Sequence, residues 1–145
     1  MAETWTHRLY AEVMQHQAVQ MHALDAGKFE EYAATFTEDG VFRHTPGREP
    51  ARGREDIVRE LHEFHERFAD DPVQRRHVFT MLAVEQHADA VIQADFYALV
   101  LTTRPDGSLT VGPHCTVRDL LVRDGSGLLT SSRWVDHDRL SGFAP

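Results

Sequence analysis

HALDAGKFEEYAATFTEDGVF, residues 22–42, decides how the chain is read. A helix runs into it and ends at about Ala26, where Gly27 tolerates the positive φ of a helix terminus. Phe29, Tyr32, Ala33 and Phe36 then fall at i, i+3, i+4 and i+7, which predicts a short second helix. Thr37-Glu38-Asp39-Gly40 reads as a turn into a strand from Val41 to Thr45, with Phe42 and His44 on one face. Asp25 stands at the end of an apolar stripe, and a buried carboxylate without a partner is costly. The stretch therefore asks for a partner to Asp25.

Upstream, helix one starts near Thr4 or Thr6, either of which can cap it. Leu9, Val13 and Leu24 form one apolar row, and Tyr10, Met14, Ala18, Met21 and Asp25 form its neighbour. Downstream, a loop rich in Pro, Gly and Arg leads to a third helix over about Arg54 to Phe68, with Ile57, Leu61, Phe64 and Phe68 on its apolar side. The period then becomes two. His77, Phe79, Met81 and Ala83 alternate with Val78, Thr80, Leu82 and Val84. Long strands over 90–103, 114–123 and 128–135 follow, joined by the turns Pro105-Asp106-Gly107-Ser108 and Asp124-Gly125-Ser126-Gly127. Helices first and an antiparallel meander after make an α+β domain spanning 1–145. Apolar residues on both faces of these strands predict one face over the helices and the other toward a partner subunit.

The 145 residues are 41% hydrophobic and 26% charged, with a formal charge of −8. That balance speaks against nucleic acid and anionic membranes, which need clustered cations. No apolar run reaches spanning length, and the one cysteine, Cys115, excludes an internal disulfide, so the expected compartment is the cytoplasm. Arginine replaces lysine almost everywhere, Lys28 excepted, and asparagine is absent, a skew that points to a GC-rich genome.

Together, ALDAGKFEEYAATFTEDGVF, GREDIVRELHEF, RRHVFTM and LLVRDGSGLLTSSRWV resemble the SnoaL-like proteins of the nuclear-transport-factor-2-like superfamily, over about Tyr10 to Val135. The resemblance implies a cone-shaped α+β barrel, three N-terminal helices packed in a strongly curved, mostly antiparallel sheet around a deep apolar cavity, usually dimeric through the open sheet face. Relatives include scytalone dehydratase, a dehydrochlorinase, ketosteroid isomerase and polyketide cyclases, but also the non-catalytic small subunits of ring-hydroxylating dioxygenases.

In the dehydratase and dehydrochlorinase pattern, the acid ending helix one falls on Asp25 and the histidine opening the strand after helix three falls on His77. The resemblance implies a hydrogen-bonded dyad in which the carboxylate fixes the imidazole tautomer and steadies the imidazolium. The dehydratase's second cavity histidine has no counterpart among Ala98, Leu99 and Leu101. The late acid of the SnoaL cyclases has only Asp119 or Asp136 as counterparts, and Asp95, Arg118 and Asp119 do not make an evident epoxide-hydrolase triad.

Tyr10, Met14, Phe42, Phe79, His114 and Trp134 are expected to shape the pocket. His44 lines the cavity or the surface. Tyr97 donates to substrate if its face of the 90–103 strand turns inward, and belongs to the dimer face otherwise. Cys115, opposite His114 and Thr116 on the alternation, is expected to point away from the cavity. His62 and His65 have no ligand spacing that makes a metal site, and the chemistry needs neither metal nor organic cofactor.

The expected function is cofactor-free acid–base chemistry (cyclisation, dehydration or isomerisation) on a polyketide or aromatic biosynthetic intermediate. Asp25 would orient His77, and His77 would move the proton. The alternative is a non-catalytic ligand-binding protein or accessory subunit of an oxygenase or biosynthetic complex. An open cavity beside the dyad favours the first, and a cavity filled by Phe or Trp favours the second.

Overall fold

The computed structural model describes residues 2–139, with side chains from Trp5 onward. Helix α1 spans Ala2–Asp25 and α2 Phe29–Ala34. Strand β1 (Phe36–Arg43) and the two-residue β2 (Ala51–Arg52) precede α3 (Arg54–Glu66). Four long strands follow: β3 (Gln74–Gln86), β4 (Ile92–Thr103), β5 (Leu109–Asp124) and β6 (Gly127–His137). They form one sheet in the order β2-β1-β6-β5-β4-β3, antiparallel except where β1 runs parallel to β6. The sheet curves around the helices without closing, so the fold is the expected α+β cone with β2 and β3 as its edges.

Gly27, at φ +74°, ends α1 in a six-to-one cap: Lys28 N donates to Ala23 O at 2.9 Å and Gly27 N to Leu24 O at 3.0 Å. That cap fixes Asp25 as the last helical residue. Residues 37–40 lie within β1 rather than in a turn before it, and the register against β6 slips between Phe36 and Val41. Gly40 sits where a Cβ would come within 2.9 Å of the Phe36 Cβ, so no side chain fits that backbone approach.

Three further irregularities set which residues face inward. On β3 the pairing slips between Thr80 and Ala83, around Met81 at φ +56° and 71% exposed. Arg75, His77 and Phe79 face the interior before the bulge, and Leu82 and Val84 after it, so Met81 and Ala83 do not continue the inward row. On β5 the pairing slips between Leu99 and Leu101 of its partner strand. On β6, Leu120 faces Ser132 while the adjacent Leu121 faces Thr130, leaving Ser131 as the extra residue, its hydroxyl donating to Leu120 O at 3.1 Å. Such bulges bend a strand and increase its twist, which wraps this sheet into a cone.

Two apolar clusters fill it. Leu9 and Val13 of α1 meet Ile92, Phe96, Val117 and Leu121 at one end. Met21, Tyr32, Phe36, Phe42 and Ile57 meet at the other, and Phe79 and Val135 touch both.

Candidate functional site

At the second cluster the helices stand away from the sheet and enclose a cavity of about 790 Å³. Its wall draws Asp25 from α1, Tyr32 from α2, Phe42 from β1, His77 and Phe79 from β3, and Arg133 from β6.

Asp25 and His77 touch at this wall. His77 Nδ1 lies 2.6 Å from Asp25 Oδ1, and the His77 backbone N–H donates to Asp25 Oδ2 at 3.0 Å. The Asp25 side chain is 8% exposed and that of His77 20%. A carboxylate accepts, so Nδ1 carries the hydrogen and Nε2 keeps its lone pair. No partner for Nε2 is found among the described residues. A smaller hollow of about 410 Å³, lined by Met21, His22, Asp25, Arg76 and His77, reaches the same pair from outside.

A polar cluster reaches the same cavity through Arg133 and Tyr32; sequence reasoning named its Asp119 as a possible counterpart of the cyclase acid but missed Arg133. Arg133, 1% exposed, donates to both carboxylate oxygens of Asp119, at 2.9 and 2.7 Å. It also donates to Gln20 Oε1 at 2.6 Å and to the Tyr32 hydroxyl at 3.0 Å. Burial alone would lower the Arg133 pKa, but Asp119 and Tyr32 more than offset it and hold the guanidinium charged. Burial pushes the Tyr32 phenol up against the opposing pull of Arg133, so it stays protonated. The phenol oxygen accepts from Arg133, and no acceptor for its hydrogen is found among the described residues. Tyr32 is thus a donor backed by a cation.

Behind it, Gln20 Nε2 donates to Thr35 and Thr130, and Thr130 Oγ1 also lies 2.9 Å from His16 Nε2. Burial, with Arg133 nearby, lowers the His16 pKa to about 4.

Phe42, His44 and Phe79 line the cavity. His44 Nε2 is 3.0 Å from Glu60 Oε2 and its Nδ1 2.9 Å from Thr45 Oγ1; burial lowers its pKa despite Glu60. Tyr10, Met14, Tyr97, His114 and Trp134 lie outside the lining. Tyr10 and Met14, 39% and 50% exposed, sit on the solvent side of α1, because the row through Leu9, Val13 and Gln20 faces the sheet. Only the end of their row, Met21 and Asp25, is enclosed, where α2 and β3 flank the helix.

On β4 the face of Ala94, Phe96 and Ala98 is buried, which leaves Tyr97 on the outer surface. On β5 the inward face is that of Cys115, Val117 and Asp119, so His114 points out and pairs with Asp138 at 2.7 Å. Cys115 lines the cavity instead of facing away from it; burial pushes its thiol up to about 11, which leaves it unactivated. Trp134 points out, with the Arg43 guanidinium 4.6 Å over its ring, because the bulge at Ser131 turns Arg133 inward. Asp95 and Arg118 pair with each other on the outer face, away from Asp119.

His62 and His65 lie against the Phe29 ring, and no group of three or more His, Cys, Asp or Glu placed to hold a metal is found among the described residues. No helix among them is long and apolar enough to cross a membrane.

The SnoaL-like domain family model matches residues 5–134. A solved structure from Catenulispora acidiphila is 74% identical, with 90% of this chain and 92% of that chain covered at a TM-score of 0.85. A second from the same organism, in complex with S-DNPA, is 73% identical over 90% and 94% of the two chains at 0.84. ActVI-ORFA from Streptomyces coelicolor is 46% identical over 90% and 97% at 0.84. No curated protein matches. The resemblance read from residues 22–42 onward is borne out.

Proposed function

The chain belongs to the SnoaL-like domain family, and on that premise we propose that it is an acid–base enzyme of the polyketide cyclase or dehydratase kind. The proposal rests above all on one observation: an imidazole tied to a buried carboxylate, its second nitrogen without a partner among the described residues, at the wall of a cavity of about 790 Å³. Likeness to a protein that holds S-DNPA supports a small-molecule ligand, and the aromatic lining of the cavity suits a largely aromatic one. The Phe42 and Phe79 rings offer such a body its apolar surface.

Here His77 Nε2 removes a proton beside a substrate carbonyl, and Asp25 stabilises the imidazolium that results. The Tyr32 hydroxyl, polarised by Arg133, donates to the oxygen on which charge develops. The imidazolium then returns the proton to a hydroxyl leaving the β-carbon as the C–O bond breaks, giving dehydration, to the oxygen of a second carbonyl whose carbon the enolate carbon attacks, giving cyclisation, or to another carbon of the enolate, giving isomerisation. The protein itself need supply only the proton transfers.

The proposal extends to a cytoplasmic homodimer joined through the outer sheet face, where Val78, Met81, Tyr97 and Val111 are exposed. Light scattering after size exclusion reads the oligomeric state directly.

The chemistry is tested with 1-tetralone, an aromatic ketone, in D₂O. The protein is expected to accelerate exchange of the hydrogens beside the carbonyl, S-DNPA to compete, and His77→Ala to bring the rate back to buffer. Equal rates for wild type and His77→Ala would exclude His77 as the base.

A further inference from the structure

The cavity wall carries a second imidazole backed by a carboxylate, apart from the one at His77. His44 follows directly after β1. Its Nε2 lies 3.0 Å from Glu60 Oε2 on α3, and its Nδ1 lies 2.9 Å from the Thr45 hydroxyl oxygen. The His44 and Glu60 side chains are 22% and 19% exposed. The Phe42 and Phe64 rings pack against the imidazole at 5.3 and 6.4 Å between centroids, which fixes its plane. His44 and Thr45 both line the cavity, and Glu60 stands outside the lining.

A carboxylate accepts, so His44 Nε2 carries the ring hydrogen and Nδ1 presents its lone pair. The Thr45 hydroxyl therefore donates to Nδ1. Burial lowers the His44 pKa against the pull of Glu60, and Arg48 and Arg67 act with burial, so the ring is neutral at neutral pH. No described residue donates to Thr45 Oγ1, which leaves that oxygen an open lone pair. The bond from Glu60 to His44 is enough to tie the end of β1 to α3. The Thr45 bond, made by the next residue along the chain, ties no further element. A hydroxyl held by an imidazole whose far side is fixed by a carboxylate is, however, the arrangement that makes an alcohol a nucleophile.

We propose that Thr45, His44 and Glu60 form a second catalytic site, one that transfers the acyl group of an aryl ester to Thr45 and then to water. Thr45 Oγ1 attacks the ester carbonyl carbon as its proton passes to His44 Nδ1, and Glu60 balances the imidazolium. As the C–O bond to the aryl oxygen breaks, Nδ1 gives the proton to that oxygen, and the acyl group stays on Thr45. A water molecule then attacks the same carbon, with His44 taking its proton and returning it to Thr45 Oγ1. Ester and water become acid and phenol, and no other reactant enters. Thr45 and His44 are the catalytic residues, and Glu60 is a positioning residue. The inference adds a reaction to the cavity and uses neither Asp25 nor His77.

The test follows hydrolysis of 2-naphthyl acetate by the fluorescence of released 2-naphthol. In parallel, 2-naphthyl methylcarbamate is used as a trap and read by peptide mass spectrometry, because a carbamoyl ester hydrolyses slowly and its adduct accumulates. The wild type is expected to hydrolyse the acetate faster than buffer and to carry the carbamoyl group on Thr45. Thr45→Val keeps the shape and should lose both, with kcat down about a hundredfold or more. Thr45→Ser should keep both. Glu60→Gln can still accept from Nε2 but cannot balance the imidazolium, so kcat should fall about tenfold or more with KM unchanged. His77→Ala, which loses exchange on 1-tetralone, should still take the carbamoyl group on Thr45.

A wild type no faster than buffer overturns the proposal, as does a carbamoyl group absent from Thr45 or full turnover in Thr45→Val. Loss of the adduct in His77→Ala overturns it too, since the reaction would then run through His77. Full exchange on 1-tetralone in His77→Ala, with the Thr45 adduct in place, sinks the proton-transfer reading of His77 and leaves the acyl-transfer site standing.

Discussion

Asp25 grips His77 at two points, one carboxylate oxygen on the ring nitrogen and the other on the backbone N–H. The backbone contact ties the end of α1 to β3, and the ring contact selects the tautomer. Asp25→Asn separates these roles. Its amide oxygen can still accept from the backbone, but its NH₂ cannot accept from Nδ1, so the ring is driven to the tautomer with hydrogen on Nε2. The expected result is a folded protein with thermal stability close to wild type and a proton-transfer rate lower by about a hundred- to ten-thousandfold. Exchange on 1-tetralone and ¹⁵N chemical shifts of the imidazole read the two effects.

Tyr32→Phe removes the one hydroxyl that Arg133 directs at the cavity. Loss of such a donor costs about a hundredfold in rate where charge develops on a substrate oxygen. It also leaves a buried guanidinium N–H without its acceptor, a loss of about 1–3 kcal/mol seen in denaturant unfolding. A rate loss with unchanged binding of S-DNPA separates transition-state stabilisation from simple affinity.

Asp119→Ala leaves the Arg133 cation buried and unbalanced, since both its oxygens serve that guanidinium. The expected cost is about 3–5 kcal/mol in urea unfolding, whereas the double change Asp119→Leu with Arg133→Met recovers most of it. The double variant should fold and yet remain slow, because the charge behind Tyr32 is gone.

Stability is expected to fall as the pH drops from about 6.5 to 4. In the folded chain His16 stays neutral to about pH 4, with Nε2 against the Thr130 hydroxyl. The unfolded imidazole takes up its proton near pH 6.5, so over that window the unfolded state binds more protons and stability is lost. Above pH 6.5 the contribution is fully present. The loss amounts to about 3 kcal/mol by pH 4, and His16→Gln should show a shallower decline than wild type in urea midpoints measured across the range.

Much of this was legible in the chain. Gly27 announced the end of α1, the spacing of Phe29, Tyr32 and Ala33 announced α2, and the alternations announced four long strands in the right order. These are local signals: a glycine that accepts positive φ, a 3.6-residue period, a two-residue period. The resemblance to SnoaL-like proteins, carried by the same stretches, singled out Asp25 and His77 before their contact was visible.

Which side of each strand faces the cavity was decided elsewhere. Counting by twos from Thr130 selects Ser132 and Trp134, yet Arg133 is the buried residue and Trp134 the exposed one. One extra residue, Ser131, shifts the ladder so that Arg133 meets Asp119 across β5, and Met81 flips the row on β3 in the same way. Bulges arise from how one strand fits its neighbour around a curved wall, and no window along a single strand contains that neighbour. The sequence by itself determined the order of elements and placed an acid and a histidine where they could meet. Tertiary structure alone decided that an arginine, backed by a buried aspartate, would join them at the cavity with a tyrosine, because pairing between strands, not periodicity within one, sets the inward face.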